Sequence, residues 1–131
     1  MHKSKNCWKE QRLENSLVKV ASIDLGSNST RLLIADITGG NISSIHKEHQ
    51  VTRMGDNLTN SKHISEESIK RVLKVLTRFF KTIDINGVEN IQIVGTAALR
   101  DAENSDDVIM QIKKKFDVEI DIVSGEEEGV L

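Results

Sequence analysis

A chain of 131 residues with 37% hydrophobic and 29% charged side chains has the length of about one domain and is too apolar to be disordered. Its 18 Lys and Arg against 20 Asp and Glu leave a net charge of −2, which argues against a general nucleic-acid binder, DNA included, with its usual basic excess. A single cysteine excludes an intrachain disulfide. With no Pro, no Tyr and only Trp8, Phe79, Phe80 and Phe116 as aromatics, the core falls to Ile, Val and Leu, and recognition by aromatic stacking is not expected.

Cys7 has no Cys/His cluster at zinc spacing around it, and the longest aliphatic run, Leu32 to Ala35, is far too short to span a bilayer. The reading is therefore a cytoplasmic protein with no membrane role. Charge is uneven along the chain. Seven basic residues face three acidic ones from Arg53 to Lys81, whereas ten acids face three lysines from Asp101 to Glu128. An anionic partner would have to be held by local geometry against the overall sign.

Residues 1–17 show no clear periodicity and read as a leader, with the domain occupying residues 18–131. Val18, Val20, Ile23 and Leu25 predict a buried strand running into the turn-forming cluster Asp24-Leu25-Gly26-Ser27-Asn28-Ser29. Thr30 to Ile37 predicts a second strand, Thr38-Gly39-Gly40-Asn41 a hairpin turn, and Ile42 to Thr52 a third strand. After Met54-Gly55-Asp56-Asn57 the pattern becomes helical. Ser65 is the expected N-cap, Glu66 and Glu67 suit the helix dipole, and Ile69, Val72, Leu73, Leu76, Phe79, Phe80 and Ile83 form one apolar face. Asn86-Gly87 is the expected stop.

Ile91 to Val94 predicts a further strand leading into Gly95-Thr96, Asp106 to Phe116 a second amphipathic helix, and Val118 to Val123 a last strand. Ser124 with Glu127 three residues on has capping-box spacing and opens a final helix. Three hairpin-linked strands followed by alternating helices and strands predict an α/β domain, a mixed sheet with helices on its faces.

Three segments have the chemistry to meet an anion. In Asp24 to Arg31, Gly26 lets an anion approach the backbone, the Ser27 and Asn28 side chains add donors, and Asp24 at a strand end suits a hydrated divalent cation. The same residues also suit an ordinary hairpin turn. In Gly95-Thr96-Ala97-Ala98-Leu99-Arg100-Asp101, a small-residue turn opens a helix with Arg100 about one turn in, a phosphate-binding pattern or a plain connection with Arg100 paired to Asp101 or Asp106. In Glu126-Glu127-Glu128, a carboxylate near an anion pocket can act as general base, with its pKa raised by its neighbours. Glu127 is equally suited to capping. The basic stripe Lys70, Lys74, Arg78 and Lys81 reads first as a solvated helix face, and His46 and His49 as bystanders on opposite sides of a strand.

Ile23-Asp24-Leu25-Gly26-Ser27-Asn28-Ser29, Val51-Thr52-Arg53-Met54-Gly55-Asp56-Asn57-Leu58, Ile93-Val94-Gly95-Thr96-Ala97-Ala98-Leu99-Arg100 and Val123-Ser124-Gly125-Glu126-Glu127-Glu128 together resemble the exopolyphosphatase and guanosine pentaphosphate phosphatase (Ppx/GppA) family. The resemblance covers residues 18–131. It implies a ribonuclease H-like lobe of the actin-like ATPase superfamily, with a five-stranded mixed sheet, flanking helices and a phosphoryl cleft shared with a second lobe. It also implies Glu128 as catalytic base, Asp24, Gly26, Ser27, Asn28, Arg31, Thr96 and Arg100 around phosphate, Asp24 on Mg²⁺ or another divalent cation, and secondary roles for Glu127 and Arg53.

The substrate would be inorganic polyphosphate or a guanosine penta- or tetraphosphate. Gly129 stands where the family usually has Ala, and the family's second phosphate loop, Asp-x-Gly-Gly-Gly-Ser, is absent from the sequence. The expectation is an N-terminal lobe whose cleft is completed elsewhere, with a homodimer or association through the uncovered face as routes to completion. The alternatives are a nucleotide-binding lobe of another actin-like protein and a non-catalytic fragment that acts by binding.

Overall fold

In the computed structural model, which describes residues 17–123, the chain forms one five-stranded sheet with its helices packed on one face. Strands β1 (Val18–Leu25), β2 (Ser29–Thr38) and β3 (Asn41–Val51) form an antiparallel meander. The β2–β3 connection is the expected two-glycine turn. Gly39 and Gly40 both have positive φ, 53° and 87°, the requirement of a tight hairpin turn that follows strand twist.

A short helix α1 (Leu58–Ser61), which periodicity does not predict, precedes the long helix α2 (Glu66–Ile85). Ser65 caps α2 as expected, its hydroxyl accepting the Ser68 N–H at 3.1 Å, and Gly87 lies just past its end with φ 68°. Ile69, Val72, Leu76, Phe79 and Ile83 are buried at steps of three and four, so the apolar stripe read from the sequence is the face that packs on the sheet.

Strand β4 (Asn90–Gly95) returns parallel to β1, giving the order β3-β2-β1-β4-β5. Helices α3 (Ala97–Asp101) and α4 (Ser105–Phe116) follow. Phe116 of α4 stacks on Phe80 of α2 with ring centroids 4.8 Å apart, which ties the two long helices together. Asn104 adds a polar clasp: its side chain accepts the Ile64 N–H at 2.8 Å and donates to the Ile64 carbonyl at 3.0 Å.

Strand β5 is shorter than predicted. Only Asp121–Ile122 pair, with Val94 and Gly95 at the end of β4. The residues before them leave α4 through the left-handed Asp117, φ 56°, and Val118 and Ile120 pack against the core instead of entering a ladder. The predicted leader, apart from Leu17, and the helix opening at Ser124 lie outside the described residues.

The core includes Ala21, Ile23 and Leu25 from β1, Leu32 and Ile34 from β2, Ile93 from β4, Ala98 and Leu99 from α3, and the apolar faces of α2 and α4. Each fully buried Ile, Leu or Phe contributes about 1.5–3 kcal/mol through removal from water. Ser22, Asp24 and Leu33, which alternate with these residues along β1 and β2, are only partly buried on the opposite face. Two readings change on the helix side. His46 bonds Glu48 at 3.0 Å, and Arg78 of the basic stripe reaches across to Glu48 at 2.6 Å, so both belong to a polar clip between β3 and α2. No helix among the described residues is long and apolar enough to cross a membrane.

Candidate functional site

The site grows from the turn between β1 and β2. The Gly26 N–H donates to the Ser29 carbonyl at 3.0 Å, closing a turn so tight that a Cβ on Gly26 would lie 2.9 Å from that oxygen. Glycine is required here for space, since such a contact forces the backbone to move.

Two neighbouring segments grip this turn. On one side the strand-to-helix turn after β4 delivers Thr96, whose N–H and hydroxyl both reach the Leu25 carbonyl, at 3.2 and 3.4 Å, and Ala98, whose N–H donates to the Ser27 hydroxyl at 3.1 Å. On the other side, residues 52–55 press against it. The N–H groups of Thr52 and Arg53 both donate to the Asn28 carbonyl at 3.0 Å, and that of Gly55 donates to the Ser27 carbonyl at 2.8 Å. Gly55 approaches so closely that a Cβ there would lie 3.1 Å from Ser27 Cβ. Beneath them the buried hydroxyls of Thr30 and Thr52 share a 2.9 Å hydrogen bond.

A cavity of about 390 Å³ opens over the turn, lined by Asp24, Gly26, Ser27, Asn28, Ser29, Arg31 and Thr96. Asp24 and Arg31 are directly paired across β1 and β2, which places a carboxylate and a guanidinium from opposite strands at one wall. Both also border a second cavity of about 420 Å³ that extends past Leu33, Lys47 and His49 over the sheet face opposite the described helices. Among the described residues, the backbone bonds that close the turn do not use the N–H of Ser27 or Asn28.

Of the residues singled out from the sequence, Asp24, Gly26, Ser27, Asn28, Arg31 and Thr96 thus share one cavity, joined by Ser29. Arg53 flanks the turn through its backbone, with an exposed side chain and a left-handed φ of 52°. Arg100 lies on α3 outside the cavity wall, bonded to Asp101 at 3.4 Å and to the Val123 carbonyl at 3.2 Å. Val123 in turn donates to the Gly95 carbonyl at 3.0 Å, so the fourth motif segment enters beside the third. Glu127 and Glu128 lie outside the described residues. The bracing role of Thr52 to Gly55 was not legible from residue type, although the segment stands among the four motif segments and Gly55 marks its close approach.

No group of three or more His, Cys, Asp or Glu is placed to hold a metal ion among the described residues. The cavity does offer a single carboxylate, Asp24, beside hydroxyl and amide oxygens. That donor set suits Mg²⁺, which keeps several waters and takes one or two carboxylates together with substrate phosphates.

A β3-β2-β1-β4-β5 mixed sheet with flanking helices, its first hairpin turn clamped against the turn after β4, matches Ppx/GppA structures of the actin-like ATPase fold. Residues 33–131 match the Ppx/GppA phosphatase family, and the chain belongs to that family. It is similar to the structure of the Aquifex aeolicus Ppx/GppA family member, with a TM-score of 0.82 and 33% identity over 86% of this chain and 37% of that one. An exopolyphosphatase from Cytophaga hutchinsonii superposes with a TM-score of 0.80 at 28% identity, covering 84% of this chain and 35% of that one. The guanosine-5'-triphosphate,3'-diphosphate pyrophosphatase of Photobacterium profundum is 33% identical over 109 residues, which is 83% of this chain and 22% of that protein. The chain spans only 18–37% of the length of the curated relatives it matches.

Proposed function

We propose that the chain holds the terminal phosphoryl groups of inorganic polyphosphate or of a guanosine penta- or tetraphosphate, as one lobe of a phosphohydrolase that releases orthophosphate. The observation that supports this most directly is the gathering of Gly26, Ser27, Asn28, Arg31 and Thr96 around one open cavity by a turn clamped from both sides. Clamping matters chemically. Donors that are fixed in advance need no reorganisation when charge develops on the transferring group.

In this proposal the Ser27 and Asn28 side chains and the turn amides hold phosphate oxygens, and Arg31 neutralises the equatorial charge. Arg100 contributes from the rim of the cleft. Asp24 would hold Mg²⁺, which supplies charge neutralisation on the phosphate oxygens. Glu128 takes a proton from a water whose oxygen attacks the terminal phosphorus. The bridging P–O bond breaks, its electron pair leaves with the shortened polyphosphate or nucleotide, and orthophosphate is released. Glu127 has a secondary role beside it, and the cleft is completed by a second lobe or a second copy of the chain in the cytoplasm.

The test is orthophosphate release from polyphosphate and from guanosine pentaphosphate with Mg²⁺, comparing the chain with Glu128→Gln. Release that vanishes in the variant is expected. Undiminished release would contradict the assignment of the base, and a chain that neither releases orthophosphate nor binds tripolyphosphate would contradict the reading as a whole.

A further inference from the structure

We infer that Arg71, on α2 and outside the cavity, is a positioning residue for the β1–β2 turn, acting through the single peptide unit that joins Thr52 to Arg53. This inference rests on the phosphohydrolase reading for its functional consequence, while its structural content stands on the hydrogen bonds alone.

The Arg71 Nε donates to the Thr52 carbonyl at 2.8 Å. The N–H of that same peptide, carried by Arg53, donates to the Asn28 carbonyl at 3.0 Å. No peptide in the described residues is cis, so this C=O and N–H point in opposite directions. One rigid plane therefore bridges the guanidinium and the turn. Rotating it breaks both bonds at once, and the positive charge at its carbonyl end strengthens the N–H as a donor at the other.

The next carbonyl is held as tightly. Arg53 adopts a left-handed φ of 52°, which L-residues avoid because Cβ crowds the carbonyl oxygen. Its carbonyl accepts from the Ser68 hydroxyl at 3.0 Å, from Arg71 Nη2 at 3.4 Å and from the Asp56 N–H at 3.1 Å. Arg71 Nη2 also donates to the fully buried Ser68 hydroxyl at 2.9 Å. Strained backbone persists where its surroundings over-determine it, and here the side chains that hold it are one guanidinium and one serine from the first two turns of α2, joined by the Asp56 N–H. A lysine could not substitute, since a single ammonium lacks the planar fork that reaches two successive carbonyls and a hydroxyl.

The experiment measures amide hydrogen exchange and calorimetric binding of inorganic tripolyphosphate in the chain, in Arg71→Lys and Arg71→Ala, and in Arg78→Gln as a control on the same helix. Arg71→Lys should speed exchange at Arg53 and Gly55 and weaken tripolyphosphate binding, each by about tenfold, with exchange at Ile23 and Leu76 unchanged. Ethylguanidinium should restore binding to Arg71→Ala where ethylammonium does not, a rescue that a merely structural role would not show. Unchanged exchange at Arg53 and Gly55 in Arg71→Lys would overturn the inference with the phosphohydrolase reading intact, as would equal acceleration in Arg78→Gln. A wild-type chain that binds no tripolyphosphate would instead overturn the phosphohydrolase reading and the functional half of this inference, while the exchange data still decide whether Arg71 shapes the turn.

Discussion

Replacing Gly26 by Ala puts the clamped turn to a direct test. The added Cβ would stand 2.9 Å from the Ser29 carbonyl oxygen, which is backbone and cannot swing aside as a side chain would. That oxygen also accepts the Gly26 N–H, so relieving the clash stretches the bond that closes the turn. Overpacking of about 1–3 kcal/mol plus loss of a hydrogen bond of about 1 kcal/mol gives an expected destabilisation of about 2–4 kcal/mol. Gly40→Ala supplies the comparison. A Cβ there meets nothing within 4 Å, and the only penalty is a φ of 87°, about 1–2 kcal/mol. Urea unfolding with tripolyphosphate calorimetry on both variants should show Gly26→Ala losing stability and binding together, and Gly40→Ala losing a little stability and no binding. A Gly26→Ala protein with wild-type stability and affinity would refute the argument that this glycine is there for space.

Thr52→Val should cost about 1–3 kcal/mol in urea unfolding, because it strips the buried Thr30 hydroxyl of its 2.9 Å partner; the Thr30→Val, Thr52→Val double variant should recover part of that loss. Ser65→Ala should cost about 1 kcal/mol by removing the cap on the Ser68 N–H, read as a lower melting temperature. Hydrogen bonds from His46, then from Arg78, hold the Glu48 carboxyl below its usual range. Such a group stabilises the fold above the unfolded carboxylate value, and the contribution is lost as pH falls through the lower folded one. Glu48→Gln should therefore be less stable than wild type near pH 7, and the two urea midpoints should converge below about pH 4; a constant gap would contradict the assignment.

The long elements were legible because a single physical signal fixed each. The apolar run from Val18 to Leu25 forms the expected strand, with Ile23 and Leu25 buried and Val18 and Val20 half-buried on the other face, and the three-and-four spacing from Ile69 to Ile83 survives into the structure because burying that stripe is what the helix is for. Turn chemistry was equally readable where it demanded one residue type, as at Gly39-Gly40 and the Ser65 cap. β5 was overestimated because Val118 and Ile120 are apolar for packing against the core, and periodicity cannot tell that from a ladder. The short α1 has no buried residue to announce it. At the site, residue types and the family resemblance together single out Asp24, Gly26, Ser27, Asn28, Arg31 and Thr96, and the fold gathers those six along one cavity. What they could not reveal was support from a distance: Arg71 reads as one cation of a helix surface, and only the fold brings it to the carbonyls of Thr52 and Arg53.

The most direct measurement is a titration of the isotopically labelled chain with inorganic tripolyphosphate and Mg²⁺, followed through the backbone amide signals. If the clamped β1–β2 turn is the anion site, the perturbed amides are those of residues 26–29, with Arg31, Thr96 and Ala98 around them, and the same titration of Gly26→Ala leaves them unmoved. Shifts gathered instead along Lys70, Lys74 and Lys81, or spread evenly over the surface and persisting in Gly26→Ala, would contradict it.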